Sequence, residues 1–321
     1  MTSLNGLADS VSEPFSGFYG DAEKLVQIVS EVTGLSPTET TQRLLTEYRN
    51  LGTSVWRELQ ERRITPYQWT DELTDFYAST NAFVFESIVW NRCSLKQGMR
   101  CWIADFLKRQ FSRPLRVLVF GDGLGFDSAF LALAGHQVSY FEVSRKAVQF
   151  AQQLFAATKC DVEMLTDVSQ IREQMFDVVV CLDVMEHVPD PPGTVELLVA
   201  ALTPHGQLIV HSPFWYLSPK VGTHLAANRR FSGDVRRLYK PYGLTPVDSR
   251  WFWDPLALAR ITTDPQPKLS TRLRLGIGSW LLSVGRLWSW PHVMIVERML
   301  TNGTKEWPAL ERLANEPAAL S

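Results

Sequence analysis

Residues 117–128, VLVFGDGLGFDS, join a short apolar strand to a glycine-rich loop and the start of a helix. Gly121, Gly123 and Gly125 allow a ligand to approach the backbone at a helix N-terminus, where free N–H groups favour negative charge. Glu142 follows at the end of the next predicted strand, where a carboxylate can accept both hydroxyls of a ribose. The alternative interpretation is a tight turn beside an unrelated surface glutamate. Strand, loop, helix, strand and terminal acid in this order indicate a site for a nucleotide-like ligand.

Short apolar runs alternate with helical segments from Arg113 onward. This alternation is typical of a doubly wound parallel sheet with right-handed crossovers. We therefore predict an α/β fold with a Rossmann-like, seven-stranded, mostly parallel sheet. The predicted strands are PLRVLVF (114–120), HQVSYFEV (136–143), DVEML (161–165), FDVVVCLDV (176–184), GQLIVHS (206–212), GLTPVDSRWF (243–252) and HVMIVERM (292–299).

The chain before the sheet is predicted to be helical. Apolar residues recur at helical spacing after Asp21, and Ser36 and Pro37 provide an N-cap and a first-turn proline for another helix. The stretch before the last predicted strand is too long for a hairpin loop and is expected to carry helices of its own. The predicted organisation is a helical N-terminal cap (1–110), a sheet domain (111–300) with a helical insertion at about 254–290, and a polar, frayed tail (301–321).

The composition is that of an ordinary globular protein, with 45% hydrophobic and 21% charged residues among 321. These proportions exclude disordered, collagen-like and coiled-coil chains. The four cysteines are scattered without a CxxC pair, so neither a structural zinc site nor a disulfide framework is indicated. The first residues have neither the basic start nor the apolar run of a secretory signal, which favours a cytoplasmic location.

Two classes of nucleotide-like ligand use such a glycine loop. Dinucleotide sites need a small residue at the sixth position of G-x-G-x-x-G, so that the helix packs closely on the strand, and Phe126 is too bulky for this. The G-x-G-x-G form resembles the class I S-adenosylmethionine-dependent methyltransferases, over about 113–212 and more weakly to 299. The resemblance implies that the loop contacts the methionine part of the cofactor, that Glu142 binds the ribose and that Asp167 lies near the adenine. The cofactor-binding residues implied in this way are Gly121, Asp122, Gly123, Gly125, Glu142, Asp167 and Asp183.

Two positions depart from the family pattern. The acid that the family carries in the first strand falls at Val119, and the middle of the loop is Asp122 instead of a small or apolar residue. Asp122 either takes over the work of the missing acid, holding the loop or the cofactor's amino group, or only caps the following helix. The sequence leaves both roles open.

The segment FDVVVCLDVMEHVPDP (176–191) resembles the region after the fourth strand in quinone-biosynthesis-type small-molecule methyltransferases. Residues there face the crevice at the carboxyl edge of the sheet, so Glu186 and His187 are candidate catalytic residues, together with His224 after the fifth strand. His187, with an ordinary pKa of about 6.5, is a candidate base for a hydroxyl acceptor, and a structural histidine is the alternative. The spacing D-x-x-E-H is also similar to the E-x-x-E-H of metal-using quinone O-methyltransferases. No metal ligand is assigned, and a divalent ion such as magnesium stays an alternative.

The acceptor is predicted to be a small molecule, aromatic or lipid-like, because aromatic residues flank the nucleotide-binding centre. All eleven tryptophans lie outside residues 103–214. Tyr77 and Phe83 in the N-terminal cap, and Trp215 and Tyr216 after the fifth strand, are the candidate substrate-binding residues. Transfer to oxygen is slightly preferred. The alternatives are carbon or nitrogen transfer, an NAD(P)-dependent oxidoreductase and a non-catalytic S-adenosylmethionine-binding protein.

The segment 268–298 is basic and rich in tryptophan. Arg286 and Pro291 interrupt its uncharged runs, so a membrane span is not predicted, and the two hypotheses are peripheral contact with a membrane and a helix packed on the core. The charge distribution is consistent with both hypotheses, because the formal charges of residues 213–321 sum to about +7 whereas those of residues 111–212 sum to about −6. No basic groove with interleaved aromatic residues is evident, so a nucleic-acid partner is not predicted. The sequence does not set the oligomeric state.

Overall fold

Seven strands form the centre of the molecule. They are β1 (Arg116–Phe120), β2 (Gln137–Phe141), β3 (Val162–Leu165), β4 (Phe176–Leu182), β5 (Leu202–His211), β6 (Leu244–Ser249) and β7 (Leu256–Arg260). They make one sheet in the order β3-β2-β1-β4-β5-β7-β6 in the computed structural model, which describes residues 14–251, 255–260, 267–303 and 306–315. Strands β1 to β5 pair in parallel, and β7 lies antiparallel between β5 and β6. The predicted Rossmann-like α/β fold with a mostly parallel sheet is confirmed.

The helices surround this sheet. They are α1 (Ser16–Gly20), α2 (Ala22–Thr33), α3 (Pro37–Arg49), α4 (Thr53–Glu61), α5 (Asp71–Ser79), α6 (Ala82–Arg92), α7 (Ser94–Gln110), α8 (Phe126–Leu133), α9 (Arg145–Thr158), α10 (Val168–Arg172), α11 (Pro191–Ala200), α12 (Val235–Leu238), α13 (Leu269–Leu287), α14 (Trp290–Gly303) and α15 (Pro308–Asn315). As the sequence predicts, the described chain is helical up to Gln110, and Ser36 caps α3 in a capping box with Glu39.

The seventh strand is not where the sequence predicts it. HVMIVERM (292–299) lies inside α14, and the strand is LALAR (256–260), within the stretch predicted to be a helical insertion. Four residues of β7 are buried because the strand lies inside the sheet, between β5 and β6. The prediction of a helical insertion at about 254–290 before the last strand is therefore wrong, since the long helices follow β7. Residues 252–254 and 261–266 lie outside the described residues.

The N-terminal helices pack directly on the sheet domain. In α7, Ile103, Phe106 and Leu107 are buried together with side chains of β1 and β4. Helix α2 contacts α9, and its apolar side chains share one cluster with those of α8 and α9. Because α6 and α7 are fixed in this way, their polar side chains reach the carboxyl edge of the sheet.

The end of the chain also belongs to the core, which contradicts the predicted frayed tail over 301–321. Trp307 is only 2% exposed, its ring packs edge-on against Tyr19 and Tyr48, and its indole N–H donates to the Tyr19 carbonyl at 3.0 Å. The guanidinium of Arg92 lies 4.6 Å from the centre of the same ring. Helix α15 then contacts α2 and α3. The sequence around Trp307 is largely polar. Trp307 is the one large aromatic residue there, and it is the side chain that packs into the core. Residues 316–321 lie outside the described residues.

We predict that Trp307→Ala lowers the free energy of unfolding by about 3–5 kcal/mol, the usual cost of truncating a buried tryptophan. Trp288→Ala is the matched control, because Trp288 is 62% exposed and its truncation should change stability by less than about 0.5 kcal/mol. Urea unfolding followed by circular dichroism measures both. Equal stabilities of the two variants would contradict the docking of the C-terminal segment.

Candidate active site

The glycine loop follows β1 and has three residues in the left-handed region, Gly121, Gly123 and Gly125, with φ of 71°, 58° and 83°. A Cβ atom at Gly121 would lie 2.5 Å from Val184 Cγ2, and one at Gly125 would lie 2.8 Å from the Phe155 ring. These two glycines are therefore required for packing. Gly121 and Gly123 line the cavity described below, whereas Gly125 does not. Of the three glycines predicted to contact a ligand, the structure brings two to that cavity.

Glu142 holds the loop in place from the end of β2. Its carboxylate accepts hydrogen bonds from the backbone N–H groups of Gly123 at 2.9 Å, Val143 at 2.7 Å and Ser144 at 2.8 Å. Loss of hydration raises the pKa of Glu142, and these three donors oppose that effect. Glu142 also lines the cavity, so the position predicted for it is the one it occupies.

Asp122 and Asp167 cap helices and do not line the cavity. Asp122 accepts hydrogen bonds from the N–H groups of Asp127 at 3.2 Å and Ser128 at 2.7 Å, at the start of α8. Asp167 is exposed and accepts from the Ser169 N–H at 2.7 Å, at the start of α10. The geometry thus supports the capping role of Asp122 and gives Asp167 a capping role that the family resemblance did not indicate.

A cavity of about 940 Å³ lies at the carboxyl ends of β1, β2, β4 and β5. Its volume is at the upper end of the range for small-molecule sites, about 300–1,000 Å³, and so suits a cofactor together with an acceptor. Its walls come from α5, α6, the loop after β5, α13 and α14. Among the described lining residues there are four carboxylates and no Lys or Arg. The four acids are Glu86, Glu142, Asp183 and Glu186.

Asp183, the first residue after β4, is bound by three donors from different elements. One carboxylate oxygen lies 2.6 Å from His211 Nδ1, and the other accepts from Trp90 Nε1 at 2.9 Å and from Lys96 Nζ at 3.1 Å. These partners lower the pKa of Asp183 well below its usual range, with Lys96 the largest of them, although loss of hydration acts in the opposite direction. Asp183 has φ of 59°, an uncommon value for a residue with a side chain, and the three donors fix it there.

The sequence analysis missed Lys96, Trp90 and His211. Lys96 also pairs with Asp127 at 2.9 Å, and Arg100 lies 3.4 Å from the other oxygen of Asp127. Lys96, Arg100 and Asp127 are each less than 5% exposed. A signal was present, because Lys96 and Arg100 are one helical turn apart on the same face of α7 as its buried apolar residues, where unpaired cations are not tolerated.

Among the described residues, Glu86 and Glu186 have no Lys or Arg partner of this kind, and one Glu186 oxygen lies 4.0 Å from His224 Nε2. No hydrogen bond or ion pair of Glu86 occurs among the described residues, and neither carboxylate oxygen of the buried Glu186 has a hydrogen-bond partner there. Loss of hydration, and then repulsion from Asp183, raises the pKa of Glu186 to about 8. The pKa of Glu86 is raised well above its ordinary value by loss of hydration and by the nearby Glu47 and Asp183.

His187 and His224, the other two candidate catalytic residues, lie beside Glu186. His187 Nδ1 is 3.0 Å from the Tyr77 hydroxyl and 3.2 Å from the Thr223 carbonyl oxygen. A carbonyl oxygen accepts hydrogen bonds and does not donate them. A hydrogen bond between His187 Nδ1 and the Thr223 carbonyl therefore requires the ring proton on Nδ1, which leaves the lone pair on Nε2. Burial lowers the pKa of His187 to about 4 and that of His224 well below its ordinary value, so both rings are neutral at pH 7.

Three of these side chains offer metal ligands, and they differ from the D-x-x-E-H trio that the sequence leaves as an alternative. The ligand atoms of Glu186, His187 and His224 all lie within 4.8 Å of one another. Asp183, the first residue of D-x-x-E-H, is occupied by its three donors and takes no part. One carboxylate and two imidazoles suit zinc or a similar ion, whereas magnesium prefers oxygen ligands. The magnesium set suggested by the sequence therefore does not form, and a transition-metal ion fits the donors better.

The predicted aromatic residues do meet at the cavity. The rings of Tyr77 and Phe83 stack with centres 5.0 Å apart, and Trp69 stacks on the other side of Tyr77 at 6.1 Å. Trp215 and Tyr216 are buried and line the same cavity. Flat aromatic walls next to a neutral imidazole are suited to an apolar, planar acceptor.

Comparisons with known proteins agree with this geometry. A family model described as a methyltransferase domain matches residues 95–262, just over half of the chain. The ubiquinone biosynthesis O-methyltransferase of Ralstonia nicotianae is 36% identical over 169 residues, which are 49% of this chain and 71% of that protein. The protein of the same name from Pseudomonas syringae pv. tomato is 30% identical over 136 residues, 39% of this chain and 59% of the relative.

Among solved structures, magnesium protoporphyrin IX methyltransferase from Synechocystis PCC 6803 with bound SAM matches with a TM-score of 0.42 and 21% identity. The match covers 60% of this chain and 98% of that one. The residues matched by the family model include β1 to β7, the glycine loop and the acids after β2 and β4. The chain therefore belongs to the class I S-adenosylmethionine-dependent methyltransferases.

Proposed function

We propose that this chain transfers the methyl group of S-adenosylmethionine to a small aromatic or lipid-like acceptor, and that the atom methylated is a hydroxyl oxygen. The observation that carries the proposal is the cavity itself, which is lined by the glycine loop, Glu142, Glu86 and Glu186 and, among the described residues, by no Lys or Arg. A cofactor with a sulfonium and an ammonium group brings positive charge into this cavity of carboxylates. The names of the ubiquinone O-methyltransferase relatives support oxygen as the receiving atom.

Glu142 is suited to bind the ribose. An ionised carboxylate has about four positions for accepting hydrogen bonds, and backbone N–H groups use three of them. The remaining position can accept a hydrogen bond from a ribose hydroxyl. The hydrogen bond from the Gly123 N–H to Glu142 keeps the loop in the conformation that would contact the cofactor. Binding and loop geometry therefore depend on the same side chain.

Glu86 is suited to replace the acid that the family carries in the first strand, where this chain has Val119. It lines the cavity from α6, next to Ser87, whose hydroxyl is 3.9 Å from the position a Cβ would take at Gly123. The α-ammonium group of the cofactor is the cation that needs an acid near this loop. We therefore assign Glu86 to that group.

His187 is suited to remove the proton of the acceptor hydroxyl. When bound, S-adenosylmethionine supplies an electrophilic methyl group on a positively charged sulfur. Glu186, with a pKa of about 8, keeps its proton at neutral pH and cannot act as the base there, whereas His187, with a pKa of about 4, is already unprotonated. The Thr223 carbonyl and the Tyr77 hydroxyl orient the ring, and the aromatic walls exclude water from the reacting atoms.

We predict that Glu142→Ala weakens binding of S-adenosylhomocysteine by about 1.5–3 kcal/mol, because a charged hydrogen-bond acceptor is lost. Asp167→Ala is the matched control and should leave the affinity unchanged, since Asp167 is exposed and outside the cavity. Isothermal titration calorimetry measures both, after thermal unfolding has shown that both variants are folded. Equal losses in the two variants would contradict the ribose assignment.

Binding of S-adenosylhomocysteine, which retains the ammonium group, should strengthen as pH rises through the raised pKa of Glu86. Glu86, whose pKa is raised, must lose its proton before it can pair with the ammonium group, so the protonated form competes with binding at low pH. Glu86→Gln should reduce the affinity about 10- to 100-fold and flatten this dependence. A pH dependence that persists unchanged in the variant would assign the effect to another group and contradict the role of Glu86.

We predict that His187→Ala lowers the turnover rate about 10²- to 10⁴-fold with little change in cofactor affinity, as expected for loss of a general base. Because the pKa of His187 is about 4, its ring stays unprotonated and wild-type turnover should show no His187-dependent fall between about pH 8 and pH 5. The measurement requires saturating substrates and chemistry as the slow step. Turnover within a few-fold of wild type would contradict the base role, and loss of wild-type activity on chelation would favour a metal at Glu186, His187 and His224 instead.

A further inference from the structure

Helices α13 and α14 expose a large apolar surface. Nine of the fourteen exposed large hydrophobic side chains among the described residues lie on these helices or the turn between them, with exposures of 50% to 83%. We call this set the apolar ridge. Its members are Leu269, Leu273, Ile277, Trp280, Leu287, Trp288, Trp290, Met294 and Ile295.

The ridge is the outward face of a helix that is well anchored on its inward face. On α13, Leu269, Leu273, Ile277 and Trp280 recur at intervals of four, four and three residues, so they share one side of the helix. The opposite side is held by two hydrogen bonds, from Ser279 Oγ to the Gly233 carbonyl and from Ser232 Oγ to the Leu282 carbonyl, each at 2.8 Å. The inward contacts fix the orientation of α13 and leave the apolar side in water.

The charges around the ridge are those that complement an anionic lipid surface. Lys268, Arg272 and Arg298 are exposed at the two ends of the helical pair. The one acid in residues 268–298, Glu297, accepts a hydrogen bond from Ser218 Oγ at 2.9 Å. Exposed tryptophans with flanking cations are typical of helices that lie in the membrane interface. Within the described residues, no helix is long and apolar enough to span a bilayer.

The ridge is continuous with the cavity. Ile295 belongs to both, because it lines the cavity and is 60% exposed. Leu281 and Leu282 of α13 and Val296 of α14 line the inner side of the same two helices. An apolar acceptor held in lipid would therefore meet an apolar path into the cavity at the surface that contacts the lipid.

We propose that the apolar ridge lies on an anionic membrane surface and that the acceptor is a lipid-borne molecule that enters the cavity past α13 and α14. The docking itself follows from the exposed side chains and charges, whereas the entry of the acceptor rests on the proposed methyl transfer. The two parts are separable, since docking needs no turnover.

Vesicle flotation tests the docking with the full chain. The protein should float with vesicles of phosphatidylglycerol and phosphatidylcholine, bind less to phosphatidylcholine alone, and lose binding to the anionic vesicles as salt is raised. The triple variant Trp280→Ser, Trp288→Ser, Trp290→Ser should reduce the partition coefficient by about tenfold or more. The matched control is Leu133→Ser, Met175→Ser, which removes exposed apolar residues outside the ridge (48% and 40% exposed) and should bind like the wild type.

Two results would overturn the proposal. One is wild-type protein that stays unbound with both kinds of vesicle. The other is equal loss of binding in the triple variant and the control, which would show that general surface hydrophobicity is responsible. A wild-type dimer that becomes a monomer in the triple variant, without vesicle binding, would assign the ridge to a second copy of the chain. Calorimetric binding of S-adenosylhomocysteine should be the same in wild type and triple variant, so failure of docking is distinguishable from failure of the proposed function.

Discussion

The carboxylate of Asp183 ties the N-terminal helices to the carboxyl edge of the sheet. Its donors are Trp90 from α6, Lys96 from α7 and His211 at the end of β5, so one side chain connects three elements distant in the sequence. Removing one partner from a buried ion pair costs about 3–5 kcal/mol, because the other charge is left without compensation. Lys96, which is shared between Asp183 and Asp127, therefore fixes the position of α7 relative to β4.

This network also explains the charge of the cavity. The two buried cations among the described residues, Lys96 and Arg100, pair with Asp127 and Asp183, and neither forms an ion pair with Glu86 or Glu186. Those two acids hold their protons more tightly because burial disfavours the charged form. A cationic ligand that binds in this acid-lined cavity stabilises the protein, since binding to the folded state alone shifts the folding equilibrium. The same arrangement selects against anionic ligands.

The sheet edge could be predicted from the sequence because its signals are local. The glycine loop, Glu142, and the segment containing Glu186 and His187 each follow an apolar run that can only be a buried strand, and parallel strands bring their carboxyl ends together. The position of β7 could not be predicted in the same way. LALAR is short and carries no turn residues, whereas HVMIVERM has an apolar pattern that fits a strand or a helix, and its half-buried Val293 and Val296 show that the helical period applies.

The roles of individual polar side chains were the least predictable. Asp122 and Asp167 occupy family positions, yet their oxygens cap helices because the nearest N–H groups are their own neighbours in sequence. Glu86 and Lys96 lie on helices that match no motif, and only the packing of α6 and α7 on the sheet brings them to the site. The four predicted aromatic residues line the cavity for a simpler reason, since Tyr77, Phe83, Trp215 and Tyr216 flank the sheet on the side where the strands end.

In the proposed reaction, the acid-lined cavity uses a cationic methyl donor to modify an apolar hydroxyl compound. The most direct measurement is incubation of the full chain with S-adenosylmethionine carrying an isotopically labelled methyl group and a lipid-soluble metabolite extract, followed by mass spectrometry. We expect a labelled product with the methyl group on oxygen, which the His187→Ala variant forms far more slowly. Cofactor binding without any labelled product would contradict it, and labelling on carbon or nitrogen would contradict the assignment of the receiving atom.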